Sequence, residues 1–218
     1  MSKLQNLLDN NRAWAERINR EDPDFFSQLS NQQNPEYLWI GCSDSRVSAD
    51  ALVDLMPGEI FVHRNVANLV VHTDLNCLSV LQYAVEVLKV KHVIICGHYN
   101  CGGIKATLDG SRHGLIDNWL CHIHDIYRKH QEFLGKISNP DTRFDRLCEI
   151  NVIEQVTNIS QTTILQDAWL NRMDVTVHGW IYLVREGRIR DLDISVGLND
   201  SAEAISTEAI QRVYRKAG

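Results

Sequence analysis

The chain has 218 residues, of which 44% are hydrophobic and 23% are charged, which is typical of one globular domain spanning residues 1–218. Its formal charge of −6 argues against nucleic-acid binding, because no basic face is available to neutralise phosphates. The N-terminus lacks a secretory signal, and no apolar run approaches the roughly 20 residues of a membrane span. We therefore expect a cytoplasmic protein without a membrane anchor, whose six cysteines are buried thiols or metal ligands rather than disulfides.

The first predicted element is an amphipathic helix that ends before Pro23. Its apolar residues recur at helical spacing: Leu4, Leu7, Leu8, Trp14 and Ile18. We expect residues 1–34 to form a helical arm that docks on the domain or on a second subunit.

Two short apolar runs predict buried strands, and each leads into a polar loop. Residues 37–40 form the first run, and the loop 42–46 follows it. Residues 92–96 form the second run, which leads into the glycine-rich loop 97–103. Both loops carry side chains of the kinds that bind metals.

Between these two runs, apolar residues with a three- to four-residue period predict a helix over residues 73–88, with Thr73 as its N-cap. Because the order along the chain is strand, helix, strand, we expect the two strands to be parallel.

The rest of the chain predicts helices and a terminal hairpin. An amphipathic helix falls within residues 104–146, and another apolar helix spans 150–170. Extended runs at 175–184 and 188–196 flank a glycine turn, and a last helix follows from about Ser206. The predicted fold is a single α/β domain: a mostly parallel central sheet flanked by helices, with an N-terminal helical arm and a C-terminal hairpin plus helix.

The two polar loops together supply a candidate zinc site: Cys42 and Asp44 follow the first strand, and His98 and Cys101 follow the second. Functional groups in open parallel sheets gather beyond the carboxyl ends of the strands. Two thiolates with an imidazole favour zinc among the abundant divalent ions. The alternatives are ordinary loop residues with buried cysteines, or a purely structural zinc site.

Asp44 has a competing partner in Arg46, two residues along the same loop. If Asp44 binds zinc, the site has four protein ligands; if Arg46 captures the carboxylate, the fourth position opens. An ordinary local salt bridge is the simpler interpretation. Because two thiolates already offset the charge of the ion, we expect any hydrolytic activity to rise into alkaline pH.

Three runs, 42–46 (CSDSR), 63–68 (HRNVAN) and 96–103 (CGHYNCGG), closely resemble the β-class carbonic anhydrases, and the similarity extends over most of residues 4–198. The resemblance implies a lyase that hydrates carbon dioxide reversibly to bicarbonate and a proton by means of one zinc ion per subunit. It implies permanent zinc ligands at Cys42, His98 and Cys101. Asp44 would be an exchangeable ligand or, paired with Arg46, would accept a hydrogen bond from zinc hydroxide.

The resemblance further implies a dimer, often paired into a tetramer, with a small apolar substrate cleft partly formed across subunits. The positions that match the cleft are Gln33, Phe61, Val66, Tyr83 and Gly102. Without the resemblance, most of these residues would be assigned to the core.

A trio of residues resembles a non-catalytic bicarbonate site that inhibits one bacterial subgroup of the family: Trp39, Arg64 and Tyr182. An arginine fork suits a planar oxyanion, and the indole and phenol add two donors. The alternative is two core aromatics beside a structural arginine.

The chain departs from the family pattern at two positions. Ser48 replaces a proline, and Asp50 stands where the subgroup more often has glutamate. Because proline stiffens a loop, we expect Ser48 to loosen the segment that carries Arg46. The four cysteines outside the motifs are interpreted as buried apolar thiols: Cys77, Cys96, Cys121 and Cys148.

Two other functions stay open from the sequence. One is a zinc lyase or hydrolase acting on another small heterocumulene, such as carbon disulfide or carbonyl sulfide. The other is a zinc-dependent sensor whose metal stays closed. The Asp44–Arg46 pair argues against the sensor, because a permanently closed site needs no competing partner for its fourth ligand.

Overall fold

The computed structural model describes residues 3–31 and 33–216. The chain forms two compact units, residues 1–34 and 35–218. None of the helices in the described ranges combines the length and the apolar composition that crossing a bilayer requires.

The N-terminal unit is helical, as predicted. It contains α1 (Lys3–Glu21) and α2 (Phe25–Asn31), separated at Pro23. The two helices contact through the Trp14 and Phe26 rings, whose centroids lie 5.5 Å apart. Its three leucines near the N-terminus are exposed, which leaves the apolar face of α1 available for docking.

The second unit is built on a five-stranded sheet. Its strands are β1 (Tyr37–Cys42), β2 (Ile60–Asn65), β3 (His92–His98), β4 (Thr176–Leu183) and β5 (Arg188–Val196). The spatial order is β2-β1-β3-β4-β5; all neighbours are parallel except β4 and β5, which form the predicted hairpin. Gly187 in its turn has a φ of 67°, which few other residues adopt. The predicted α/β class is confirmed.

Helices flank this sheet. They are α3 (Ala49–Val53), α4 (Leu75–Gln82), α5 (Gly102–Asp109), α6 (Ile116–Lys129), α7 (Gln131–Lys136), α8 (Pro140–Ser160), α9 (Thr163–Leu170) and α10 (Ala202–Arg215). The prediction of one helix over residues 150–170 was wrong. Thr162 is extended, with a ψ of 145°, and its side chain caps α9, so the backbone breaks between α8 and α9.

The N-cap of helix α4 lies one residue later than predicted. Asp74, not Thr73, is the N-cap, because its carboxylate accepts a hydrogen bond from the Asn76 amide at 3.0 Å. Beyond α4 the backbone widens into a π-helical turn, in which the Leu88 amide donates to the Tyr83 carbonyl at 3.0 Å.

The long helix α8 packs against the sheet directly behind the end of β3. A Cβ added at Gly97 would lie 2.5 Å from Val152 Cγ2, so only glycine allows this approach. The residue after Gly97 is His98, and the packing of α8 therefore positions a predicted metal ligand.

Candidate metal centre

Three predicted zinc ligands arrive at one edge of the sheet. Cys42 is the last residue of β1, His98 is the last residue of β3, and Cys101 precedes α5 as its N-cap. Because β1 and β3 are adjacent and parallel, their carboxyl ends meet at the same edge.

The ligand atoms of Cys42, His98 and Cys101 lie within 4.8 Å of one another, and all three residues are buried. Two sulfur atoms and one imidazole nitrogen form a donor set that tetrahedral zinc accepts, with one position left for another ligand. The geometry is therefore that of a three-ligand metal centre.

The orientation of the His98 ring fits a metal ligand. Its Nδ1 lies 2.9 Å from the Tyr99 carbonyl oxygen, which can only accept a hydrogen bond, so Nδ1 carries the proton. Nε2 is buried and has no hydrogen-bond partner among residues 3–31 and 33–216. Because a buried imidazole nitrogen without a partner is costly, a cation at this position would explain it.

The two thiols of the cluster titrate as a pair. A hydrogen bond from Cys101 lowers the pKa of Cys42, with further contributions from His98 and the Asp44 backbone, while burial opposes them. The same hydrogen bond, together with burial, raises the pKa of Cys101. The Ala67 amide also donates to Cys42 Sγ at 3.4 Å. One sulfur of the pair is therefore readily ionised.

Asp44 is turned toward Arg46 rather than into the three-ligand cluster. The Arg46 Nε and Nη2 atoms donate to the two carboxylate oxygens at 2.9 and 2.7 Å, and the Arg46 amide adds a third bond at 2.9 Å. This pairing lowers the pKa of Asp44. Asp44 Oδ2 nevertheless lies 3.8 Å from His98 Nε2, so the carboxylate borders the position that a metal would occupy.

Arg46 joins the two loops that carry the ligands, and Arg64 bonds to the first of them. Arg46 Nη2 also donates to the Asn100 carbonyl at 3.1 Å. Arg64 donates from Nε to the Cys42 carbonyl at 2.9 Å and from Nη2 to the Asp44 carbonyl at 2.6 Å.

The two residues that depart from the family pattern bond to each other: Ser48 Oγ lies 3.1 Å from Asp50 Oδ1.

The predicted cleft residues fall into three places. Gly102 opens α5 beside Cys101, and Val66 lies 3.1 Å from where a Cβ on Gly103 would be. Phe61 and Tyr83 pack on each other, with ring centroids 5.9 Å apart. Gln33 is exposed and belongs to the N-terminal unit.

The predicted bicarbonate trio is partly assembled. Trp39 and Tyr182 are buried in one small apolar cluster on the sheet. Arg64 is exposed, and its guanidinium is already bonded to the loop of Cys42.

The prediction that the four cysteines outside the motifs are buried was wrong for Cys121, which is exposed on the solvent side of α6.

A buried charged network supports the second ligand loop and was missed from the sequence. Glu149 on α8 is 1% exposed and accepts hydrogen bonds from Tyr99, Arg146 and Arg190. Burial raises the pKa of Tyr99, so its hydroxyl stays a neutral donor. Tyr99 lies between His98 and Cys101, and the network therefore anchors the loop that carries both ligands. The sequence alone gives no indication of this role, because Glu149 stands there as one glutamate within a helical pattern.

Residues 37–189 match the family model described as carbonic anhydrase. A carbonic anhydrase of Emericella nidulans is 45% identical over 86% of this chain and 82% of the relative, and one of Saccharomyces cerevisiae is 34% identical over 87% and 88%. A solved Coccomyxa β-carbonic anhydrase in complex with acetazolamide has a TM-score of 0.87 at 37% identity, covering 96% of this chain and 98% of that one. A Sordaria macrospora structure, described as tetrameric, has a TM-score of 0.85 at 37% identity, covering 88% and 98%.

Replacing Glu149 by alanine should lower the free energy of unfolding by about 3 kcal/mol or more, because two arginines lose their buried partner. Denaturant titration measures this change. The matched control is Glu132→Ala, whose pairing with Lys136 is exposed to solvent and should change the stability little. Equal small losses in both variants would contradict the anchoring role of Glu149.

Proposed function

The chain belongs to the β-class carbonic anhydrase family, and we propose that Cys42, His98 and Cys101 bind the one zinc ion per subunit that this enzyme uses. As a carbonic anhydrase it is a lyase that interconverts carbon dioxide and bicarbonate. The observation that carries the zinc assignment is the buried His98 Nε2, which has no partner in the described chain and faces the two cysteine sulfurs. Zinc, when bound, supplies a Lewis acid that acidifies a coordinated water.

Cys42 and Cys101 set the pH range of the reaction in this proposal. As thiolates they carry two negative charges, which offset the charge of the ion and leave the attacking water less acidic than with three neutral histidines. The reaction rate should therefore increase as the solution becomes more alkaline.

Asp44 and Arg46 gate the centre in this proposal. Arg46 holds both carboxylate oxygens, so Asp44 leaves the fourth position to water and can accept a hydrogen bond from the attacking water. The same Oδ2 that bonds Arg46 also lies 3.8 Å from His98 Nε2, so Asp44 needs little movement to reach the metal position. Release of Asp44 from Arg46 would close the site.

The substrate cleft is completed in this proposal by self-association. Exposed apolar side chains cover edge strand β2 and the α4 region: Val62, Leu75, Tyr83 and Val87. An apolar face on an edge strand is typical of an interface between subunits. Val66 and Gly102 would then line the cleft from the subunit that holds the zinc, and Phe61 and Tyr83 from its partner.

Bicarbonate inhibits the enzyme in this proposal by binding near Trp39, Arg64 and Tyr182. Arg64 bonds the carbonyls of both Cys42 and Asp44, so an anion that draws its guanidinium away would change the loop that carries the gate. Such regulation would be shared with the bacterial subgroup that the trio resembles.

Purified protein with a measured zinc content should hydrate carbon dioxide in a stopped-flow assay, with a rate that rises from mildly acidic to alkaline pH. Cys42→Ala should lose both zinc and activity, whereas Cys121→Ser, which removes an exposed thiol, should keep both. A rate that is flat across this pH range would argue against the role assigned to the two thiolates. Zinc without hydration would argue against the proposed chemistry altogether.

Arg46→Ala should retain zinc yet slow hydration by about 100-fold, because Asp44 is freed to take the position that water needs. Stopped-flow rates and metal analysis on the same sample measure both. Arg128→Ala removes an exposed arginine that pairs with Asp125 and should leave the rate unchanged. An Arg46→Ala enzyme with the wild-type rate would refute the gate.

Trp39→Phe should weaken inhibition by bicarbonate, because the indole N–H is lost as a donor while the buried ring is largely kept. Initial hydration rates at increasing bicarbonate measure the effect. Trp169→Phe is the control. The Trp169 ring lies in the main hydrophobic core, outside the small cluster of Trp39 and Tyr182, and its Nε1 donates to the Val175 carbonyl. Unchanged inhibition in Trp39→Phe would count against the site.

A further inference from the structure

A second group of metal-ligating side chains lies outside the zinc centre. The ligand atoms of His63, Asp74 and Cys77 all lie within 4.8 Å of one another, as do those of Cys42, His98 and Cys101. We propose that these three residues form a second, weaker metal site, which binds a thiophilic divalent cation such as zinc or cadmium. Nitrogen, oxygen and sulfur donors together suit such ions, and three ligands leave a position for water.

Rigid elements carry the three side chains. His63 lies on β2, the edge strand of the sheet. Asp74 caps α4 and Cys77 follows three residues later, a spacing that places both on one face of a helix. A bound cation would therefore connect the edge strand to the start of α4.

The ligand atoms approach closely without bonding to each other. In the part of the chain that the structure describes, no hydrogen bond joins His63, Asp74 and Cys77. Asp74 uses Oδ1 to accept from the Asn76 amide, while its Oδ2 has no hydrogen-bond partner within the described ranges. The His63 ring contacts only the Asn65 side-chain nitrogen, at 3.3 Å, as a hydrogen-bond partner. Three ligand atoms this close together, with no hydrogen bond among them, are available to share one cation.

The surroundings allow a cation to enter but make the site weaker than the zinc centre. His63 and Cys77 are buried, whereas Asp74 is partly exposed. Burial raises the pKa of the Cys77 thiol to about 12, so the cation must displace its proton into solvent. A cation would enter past Asp74 and bind in exchange for one proton.

The test counts metal per subunit. Protein that retains its tightly bound zinc is dialysed against excess zinc or cadmium, and bound metal is measured by mass spectrometry. Wild-type protein should gain a second equivalent, and Cys77→Ala should not, while its hydration rate is unchanged. Cys121→Ser removes an exposed thiol outside both clusters and should gain the second equivalent as wild type does.

Cadmium adds a readout specific to sulfur, because cadmium–thiolate bonds absorb in the near ultraviolet. The increase in absorbance that accompanies binding of the second equivalent should be absent in Cys77→Ala and present in Cys121→Ser. If that variant does not fold, His63→Asn provides the same comparison of metal content. Equal metal content in wild type and in a folded variant of the cluster would overturn the proposal. Failure of the catalytic centre would instead appear as loss of the first, tightly bound equivalent.

Discussion

The parallel pairing of β1 with β3 is the constraint on which the metal centre depends. Gly41 pairs with Cys96, so Cys42 and His98 both emerge just beyond the last paired residues. A shift of one residue in this register would move one ligand by about 3.3 Å along the strands relative to the other. Gly97 allows α8 to pack against this edge, which keeps the register and buries the ligands together.

Burial divides the centre into an enclosed cluster and an exposed rim. Cys42, His98 and Cys101 are enclosed by the core and have little freedom, as a metal site with stable ligands requires. Asp44 and Arg46 lie at the rim, where the Arg46 side chain is 49% exposed and can change partner without disturbing the core. The proposed gate would therefore lie at the surface, above an enclosed cluster.

Local patterns predicted much of the fold and failed where neighbouring residues competed. The buried strands and the hairpin follow from apolar runs and a glycine turn, which act over a few residues. The cap of α4 was misassigned because Thr73 and Asp74 are both good caps, and only the backbone shows which one bonds Asn76. Cys121 was expected to be buried, although the period of α6 places it opposite the buried Leu120 and Ile123.

The sequence by itself determined the family, the parallel sheet and the candidate metal ligands, because these depend on residue type and short spacings. Only the tertiary structure decided that Asp44 pairs with Arg46, since both partners were available to it within one loop. It also decided that Glu149 supports Tyr99, 50 residues away, and that His63 meets Asp74 and Cys77. Contacts between distant segments depend on how helices pack on the sheet, and the spacing of residues along the chain does not contain that information.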